Sequence, residues 1–368
     1  MRYRKLGLTG IEMPIIGQGT TGVGRACDNT FKNDNDRIAV LRNGIELGMN
    51  YIDTAELYGG GHAEEVVGKT IQGIREHVVI GSKFNPNNSD EKGIRQSLEG
   101  SLKRLNTDYI DLYQLHWPSP FIPMEETLSS LDRLLEEQKI RAIGLSNFSL
   151  NQLEYALEFL DAGKIAAIQV EYNLIERSIE NDLLPFSLKN NISVLCYSLF
   201  SFGITRSKKV MEVLEEIALT NNCTIHQIVL AWAKVHDPVV LLVKSSQISN
   251  NRHNAAASEI DLTIEELNLI NTICQTPICF VPVNEIELRE GYYRWPYFSL
   301  ESAKRNAYDL IPSPIELAEN IKKWDIRKPV KLKRLSNNKY VLVSDQIRFW
   351  AWQIAYGRDM PIPAYVYN

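Results

Sequence analysis

The chain has 368 residues, of which 44% are hydrophobic, 23% charged and 9% aromatic, an ordinary globular composition that excludes collagen, coiled coil and wholesale disorder. A formal net charge of −5 gives no global charge footprint for nucleic acid. The longest weakly polar stretch, Ser193–Thr205, is shorter than the roughly 20 residues of a membrane span and carries turn residues, so no span is expected.

Two segments open the chain, Tyr3–Gly7 and Ile11–Ile15, joined at Thr9-Gly10 as a predicted hairpin that closes the floor of the fold. Short apolar runs then alternate with amphipathic helical stretches. The runs are Ile11–Gly19, Asn50–Ala55, Val78–Phe84, Ile110–Trp117, Ile140–Asn147, Ala166–Asn173, Ile192–Phe200 and Val239–Ser246. They are rich in Ile, Val, Leu and Tyr and mostly continuous rather than alternating, as in strands buried on both faces of a parallel sheet. Between them, Ile38, Leu41 and Ile45 share one helical stripe. Ile94, Leu98, Leu102 and Leu105 share another, and Val210, Val213, Leu214 and Ile217 a third. The last helix of the series opens with the capping box Thr263-Ile-Glu-Glu266. Eight β and eight α elements over about 250 residues predict a (β/α)8 TIM barrel, spanning residues 1–276, with a doubly wound open sheet as the alternative.

The rhythm changes beyond residue 276. Val281–Leu288 reads as a strand, and Ser313-Pro314-Ile-Glu316 as a capped helix start with proline at its first helical position. Pro329–Leu335 and Lys339–Val343 read as a hairpin around Ser336-Asn337-Asn338. A helix follows from Asp345 to Tyr356, ended by Gly357, and then a strand over Ile362–Tyr367. Residues 277–368 thus form a second, small α+β unit, with fourteen Lys/Arg against ten Asp/Glu. Phe349, Trp352 and Tyr356 fall on one stripe of its last helix, while Trp350 faces elsewhere, free to dock on the barrel.

Near the start, Gly17-Gln-Gly19-Thr-Thr-Gly22 satisfies the G-x-G-x-x-G pattern. A dinucleotide fold needs that pattern to open an apolar helix whose amides face a pyrophosphate. The sequel from Val23 to Thr30 is polar and aperiodic instead, so the segment reads as a loop after the first barrel strand, placed against a ligand at the strands' C-terminal ends.

Three strand ends carry polar chemistry: Asp53-Thr-Ala-Glu-Leu-Tyr58-Gly59, Gly81-Ser-Lys83, and Gln114-Leu-His116-Trp117-Pro118. Singly, each residue has an ordinary explanation: a helix cap, a solvated lysine, a hydrogen-bonded core histidine. In a barrel, Asp53, Tyr58, Lys83 and His116 converge on one mouth. A free tyrosine titrates near pH ~10, a lysine beside it lowers that value, an aspartate holds the lysine, and a histidine orients a carbonyl oxygen or relays its proton. The set suits proton transfer on oxygen while hydride moves on carbon, with no nucleophile and no metal cage.

The chain at this point resembles the aldo-keto reductase family. Asp53-Thr-Ala-Glu-Leu-Tyr58-Gly59 with Glu64-Glu65 and Gly68 resembles the family signature after strand two, and Lys83 and His116 fall where the rest of the tetrad stands. Gly144-Leu-Ser146-Asn147-Phe148 and Gln169 resemble the residues that hold the nicotinamide carboxamide. Tyr197-Ser198, through Leu199 and Phe200 to Gly203, resembles the segment that stacks under nicotinamide and grips pyrophosphate. Lys244-Ser245 and Asn254 resemble the adenosine end, and Asn250 stands where relatives carry Arg or Gln near the 2′-phosphate, with Arg252 close by. Thr20 is a further cofactor position, and Thr21 replaces the family's bulky aromatic, which enlarges a carbonyl pocket shared with Tyr58, His116 and Trp117. The resemblance implies an NAD(P)-dependent enzyme, with NADP(H) favoured over NAD(H), that reduces an aldehyde, ketone or sugar-like carbonyl, and no metal.

Residues 277–368 resemble the ParB-like fold shared with sulfiredoxins, through the helix Glu316–Trp324, Lys328-Pro329-Val330, Tyr340-Val-Leu-Val343, and Ile347–Gly357 before Pro361-Ile-Pro363. The family's Gly-Glu-Arg-Arg nucleotide contact falls on Asp345-Gln346-Ile347-Arg348, where Arg348 alone matches. Arg327-Lys328, Lys331 and Lys333-Arg334 read either as a nucleic-acid or phosphate patch or, preferably, as a solvated hairpin whose lysines discourage edge pairing. Two alternatives stay open beside the reductase. One is a non-catalytic nicotinamide-sensing regulator whose tail binds a partner or nucleic acid. The other makes the tail a lid that brings Trp295, Tyr297 or Arg348 to the barrel. Met1-Arg-Tyr-Arg-Lys5 leads into no apolar segment, and Cys27, Cys196, Cys223, Cys274 and Cys279 have unrelated spacings, which predicts a cytoplasmic protein with free thiols.

Overall fold

The computed structural model describes residues 1–23, 33–161, 163–200, 208–275, 277–288, 296–326 and 328–367. The positions of Cys27, Gly203, Trp295 and Arg327 lie outside the described residues. The chain forms two compact units, one of Met1–Pro118 with Ile122–Cys274 and a second that covers Gln275–Asn368.

In the first unit, β1 (Tyr3–Lys5) and β2 (Glu12–Pro14) pair as an antiparallel hairpin. Next come β3 (Ile16–Gly19), β4 (Tyr51–Asp53), β5 (Val79–Phe84), β6 (Leu112–Leu115), β7 (Ile143–Ser146), β8 (Ile165–Glu171), β9 (Ser193–Tyr197) and β10 (Val239–Val243). These eight close into one parallel barrel, with Leu241 of β10 opposite Ile16 of β3, so the open-sheet alternative is excluded. Each apolar run overlaps one barrel strand, and β8 begins one residue before its run, at Ile165. The first run divides: Glu12–Pro14 stays in the hairpin, whose ladder ends on the bond from the Ile15 amide to the Arg2 carbonyl, and only Ile16–Gly19 joins the barrel.

The hairpin closes the floor as expected. Leu6, Ile11 and Met13 pack into one buried cluster with Leu112, Ala142, Ala166, Leu195 and Val240. Gly7 has φ +52° and sits so close to β8 that a Cβ would lie 2.8 Å from the Ala166 carbonyl oxygen. Helices clothe the outside. In the helix Glu91–Leu105, Ile94, Leu98 and Leu105 are buried and Asp90 caps the first turn through the Gly93 amide. The fully buried Glu64 accepts from the Ser82 hydroxyl at 2.5 Å and from Arg104 Nε at 2.6 Å, which ties the helix His62–Ile71 to β5 and to the helix Glu91–Leu105. The Thr263/Glu266 capping box forms as read.

The second unit has β11 (Ile278–Val281), β12 (Ile286–Glu287), β13 (Val330–Arg334), β14 (Tyr340–Ser344) and β15 (Ile362–Tyr367) in the order β11-β15-β13-β14-β12. The single strand expected over Val281–Leu288 is two strands, because Pro282 ends β11 and a 3-10 turn, Val283–Glu285, intervenes. The helix Pro314–Trp324 starts on the Ser313/Glu316 capping box. It packs with the helix Gln346–Tyr356 over Val330, Leu332, Leu342, Ile362 and Ala364. Trp350 does not face away. It is buried in this unit's own core, with Nε1 donating to the Tyr297 carbonyl, since all three of Phe349, Trp350 and Trp352 are needed to fill the space beside a thin sheet. Tyr297 is likewise buried in that core, its amide and carbonyl held by Gln346, and Arg348 is pinned to Asp345 and the Pro329 carbonyl. Among the described residues, no helix is long and apolar enough to cross a membrane.

Candidate active site

The barrel delivers its polar residues at the C-terminal ends of its strands. Asp53 ends β4, Lys83 stands near the end of β5, and His116 follows β6. Ser146 and Tyr197 end β7 and β9, while Gln169 lies late in β8 and Lys244 follows β10. Tyr58 lies in the loop after β4, and the chain then turns through Gly59, Gly60 and Gly61, all at positive φ, into the helix His62–Ile71.

Lys83 Nζ donates to Asp53 Oδ2 at 2.7 Å and to the Thr54 carbonyl at 2.8 Å, and both partners of the ion pair are buried. The other Asp53 oxygen, Oδ1, accepts from Gln169 Nε2 at 3.0 Å and from the Tyr51 hydroxyl at 3.3 Å. The Lys83 ammonium also faces Tyr58, its Nζ lying 5.2 Å from the ring centre. Burial alone pulls the Lys83 ammonium down, but Asp53 and Tyr58 together outweigh it, and its proton is held more tightly than in water.

Tyr58 differs from the simple expectation. Lys83 does favour its phenolate, yet burial of the ring, reinforced by the charge of Asp53, is larger and raises the phenol above its usual value. The hydroxyl therefore keeps its proton at neutral pH. Thr21, itself exposed, favours the phenolate as Lys83 does, but more weakly. His116 meets Tyr58 edge to face, with ring centres 5.6 Å apart, and stacks on Trp117 at 3.9 Å. Burial, with the Lys83 charge, drives the imidazole well below its usual value, so it is neutral. Its Nδ1 is buried without a hydrogen-bond partner among the described residues.

Three of the expected cofactor positions, Ser146, Asn147 and Tyr197, are bonded to one another. Asn147, with φ +63°, donates to the His116 carbonyl at 3.0 Å and to Ser146 Oγ at 3.1 Å, and accepts from the Tyr197 hydroxyl at 2.6 Å. Gln169 Oε1 is buried and unpartnered among the described residues. Thr20 donates its hydroxyl to the Asp53 carbonyl at 3.0 Å. The Ser198 carbonyl accepts from Asn173 Nδ2 at 3.2 Å, Leu199 is buried, and Phe200 is half-exposed against the His226 ring. Lys244 is exposed, and its Nζ would lie 2.8 Å from a Cβ placed on Gly22, so it reaches across to the turn after β3. Ser245 Oγ bonds the backbone of Gln247 at the start of the helix Ile248–Ala256. On that helix Asn254 is buried, while Asn250 and Arg252 are exposed. Among the described residues no His/Cys/Asp/Glu cluster could hold a metal.

Sequence reading missed Tyr51. Its spacing of two from Asp53 in a strand was the available signal, since it puts both on one face.

Because the folded His116 binds its proton less readily than a free imidazole, the unfolded chain takes up the extra proton as pH falls below about 6.5, and stability drops in that direction. In a proton NMR titration the His116 ring resonances are expected at their neutral positions down to about pH 6. A midpoint at or above about 6.5 would contradict a buried neutral ring.

Comparison with known proteins gives a consistent result. Residues 15–275 match the aldo/keto reductase family. Methylglyoxal reductase YeaE of Escherichia coli (strain K12) is 37% identical over 269 residues, which covers 73% of this chain and 93% of that protein. An NADH-specific methylglyoxal reductase of the same organism is 31% identical over 327 residues, which covers 75% of this chain and 99% of that protein. The crystal structure of an aldo/keto reductase from Klebsiella pneumoniae in complex with NADP and acetate matches with a TM-score of 0.66 at 35% identity, covering 74% of this chain and 95% of that one. The barrel unit accounts for the match, and on it the chain belongs to the aldo/keto reductase family.

Proposed function

We propose that the barrel is an NAD(P)H-dependent reductase that converts an aldehyde, ketone or sugar-like carbonyl to an alcohol, with Tyr58 as general acid. The observation that carries this reading is the buried Lys83–Asp53 ion pair, 2.7 Å long, with the lysine Nζ 5.2 Å from the ring centre of a Tyr58 that burial keeps protonated. The regulator alternative gains nothing from relatives that are themselves reductases.

The donor set fits a nicotinamide nucleotide. Gln169 Oε1 is a buried acceptor in need of a donor, as the carboxamide of nicotinamide supplies, and Ser146 and Asn147 stand beside it on the neighbouring strand. Tyr197 offers a ring face beneath the nicotinamide, and the backbone from Ser198 through Leu199 and Phe200 to Gly203 is the pyrophosphate grip. Thr20 lines the same cleft, and Lys244, Ser245, Asn250 and Asn254 receive the adenosine end. The exposed cations Lys244 and Arg252 favour NADPH, whose 2′-phosphate they would meet. The Klebsiella pneumoniae relative was crystallised with NADP, while one Escherichia coli relative is NADH-specific.

When bound, the reduced nicotinamide supplies the hydride to the carbonyl carbon. The chain's own residues manage the oxygen. Tyr58 Oη donates its proton to the carbonyl oxygen as negative charge develops there. Lys83, held by Asp53, stabilises the phenolate left behind. His116, being neutral, hydrogen-bonds the same oxygen and fixes its direction without competing as an acid. Trp117 and Thr21 form walls of the substrate pocket.

We assign residues 277–368 the ParB-like α+β fold, supported by the mixed five-stranded sheet with its paired helices. Arg348, the one match to that family's nucleotide contact, is bound to Asp345, which favours a role in substrate selection or assembly over nucleotide chemistry. A cytoplasmic location fits the four described cysteines, all free thiols.

With NADPH and methylglyoxal as test substrate, Tyr58→Phe is expected to lower turnover on the order of 10²–10⁴-fold, while NADPH affinity measured by fluorescence stays close to wild type. Wild-type turnover by that variant would assign the acid elsewhere. Enzyme shortened to residues 1–276 is expected to change in KM or in oligomeric mass with NADPH affinity kept. If neither quantity moves, the assigned role of the second unit is wrong.

A further inference from the structure

Tyr51 and Asp53 are the two ends of β4, on the same face of the strand and inside the barrel. The Tyr51 side chain is fully buried. Both neighbouring strands make room for it. A Cβ on Gly17 in β3 would lie 2.6 Å from Tyr51 Cδ1, and one on Gly81 in β5 would lie 2.3 Å from its hydroxyl oxygen. The ring thus fills a slot between two glycines, with its hydroxyl 3.3 Å from Asp53 Oδ1. Burial and the Asp53 charge keep that hydroxyl a phenol, able only to donate toward the carboxylate.

We propose that Tyr51 is a positioning residue for the reduction, whose phenol anchors the Asp53 carboxylate from beneath so that it holds Lys83 against Tyr58. The inference rests on the reductase reading above. A phenylalanine would fill the slot equally well, so the hydroxyl needs an explanation, and a buried hydroxyl is expected to have a partner. Asp53 is the one it has among the described residues. Each other donor to Asp53 has a second duty. Lys83 serves Tyr58, and Gln169 carries the buried free acceptor assigned to the nicotinamide carboxamide. Tyr51 alone is committed to Asp53, and its hold does not change when cofactor enters or leaves.

The test is Tyr51→Phe, which removes one oxygen and keeps the ring. With NADPH and methylglyoxal, kcat is expected to fall about tenfold, while KM and NADPH affinity stay at wild-type values. The pH profile of kcat/KM is expected to move, because the ion pair that serves Tyr58 loses one of its supports. An activity-independent readout is the ¹³C chemical shift of the Asp53 carboxyl in cofactor-free protein at neutral pH, expected to move in the variant on loss of the phenol's hydrogen bond. Gly81→Ala, which drives a methyl into the phenol's place, is expected to move the same resonance with the tyrosine retained. Superimposable carboxyl resonances and pH profiles in variant and wild type overturn the proposal. Absence of carbonyl reduction by the wild type would refute the reductase reading instead, and the carboxyl resonance would still decide the role of Tyr51.

Discussion

A carboxylate and an ammonium, 2.7 Å apart and both sealed from water, govern the chemistry of the barrel. Burying such a pair costs several kcal/mol per ion, and the cost is offset only when the remaining lone pairs and protons are satisfied. Here they are. Asp53 receives Lys83, Gln169 and Tyr51, and Lys83 donates to Asp53 and to the Thr54 carbonyl while facing the Tyr58 ring. The protonation states of the neighbours follow from that fixed charge. Lys83 retains its proton, His116 is held neutral by burial and by the lysine, and Tyr58 keeps its own because burial prevails over the lysine's pull. One donor, one neutral hydrogen-bonding ring and one fixed cation suit the reduction of a carbonyl by a family that works with nicotinamide.

The rest of the first unit keeps this pair in place. A closed parallel barrel brings the ends of strands far apart in sequence to one rim, so residues as distant as Asp53 and Gln169 share a hydrogen bond. The floor is plugged by Leu6, Ile11 and Met13, and the helix after the Tyr58 loop is tied through Glu64 to Ser82 and Arg104. Glycines at 17 and 81 admit the Tyr51 ring where any side chain would exclude it.

Much of this was legible in the sequence. The strands showed because segments buried on both faces must be continuously apolar, and Asp53, Lys83 and His116 stood out as polar residues at the ends of such strands. What escaped depends on neighbours that no linear pattern reveals. The partnership of Tyr51 and Asp53 makes sense only when Gly17 and Gly81 flank it from other strands. The net direction at Tyr58 turns on desolvation, which is a property of the packed loop. The inward turn of Trp350 reflects the volume its small unit must fill, and the break at Pro282 reflects one missing amide hydrogen. The bonds that hold Asn147 to Tyr197, Ser146 and the His116 carbonyl likewise join three strand ends that no local pattern links.

The central claim is that Asp53 keeps a buried Lys83 charged so that Tyr58 can give up its proton. The most direct test is the pH dependence of kcat/KM for Asp53→Asn beside the wild type, with NADPH and methylglyoxal. Without the carboxylate, only Tyr58 opposes the effect of burial on Lys83, and the ammonium loses its proton at lower pH. The account predicts that the variant's activity falls off on the alkaline side at a lower pH than the wild type's. A variant whose profile has the wild-type shape and position would contradict it.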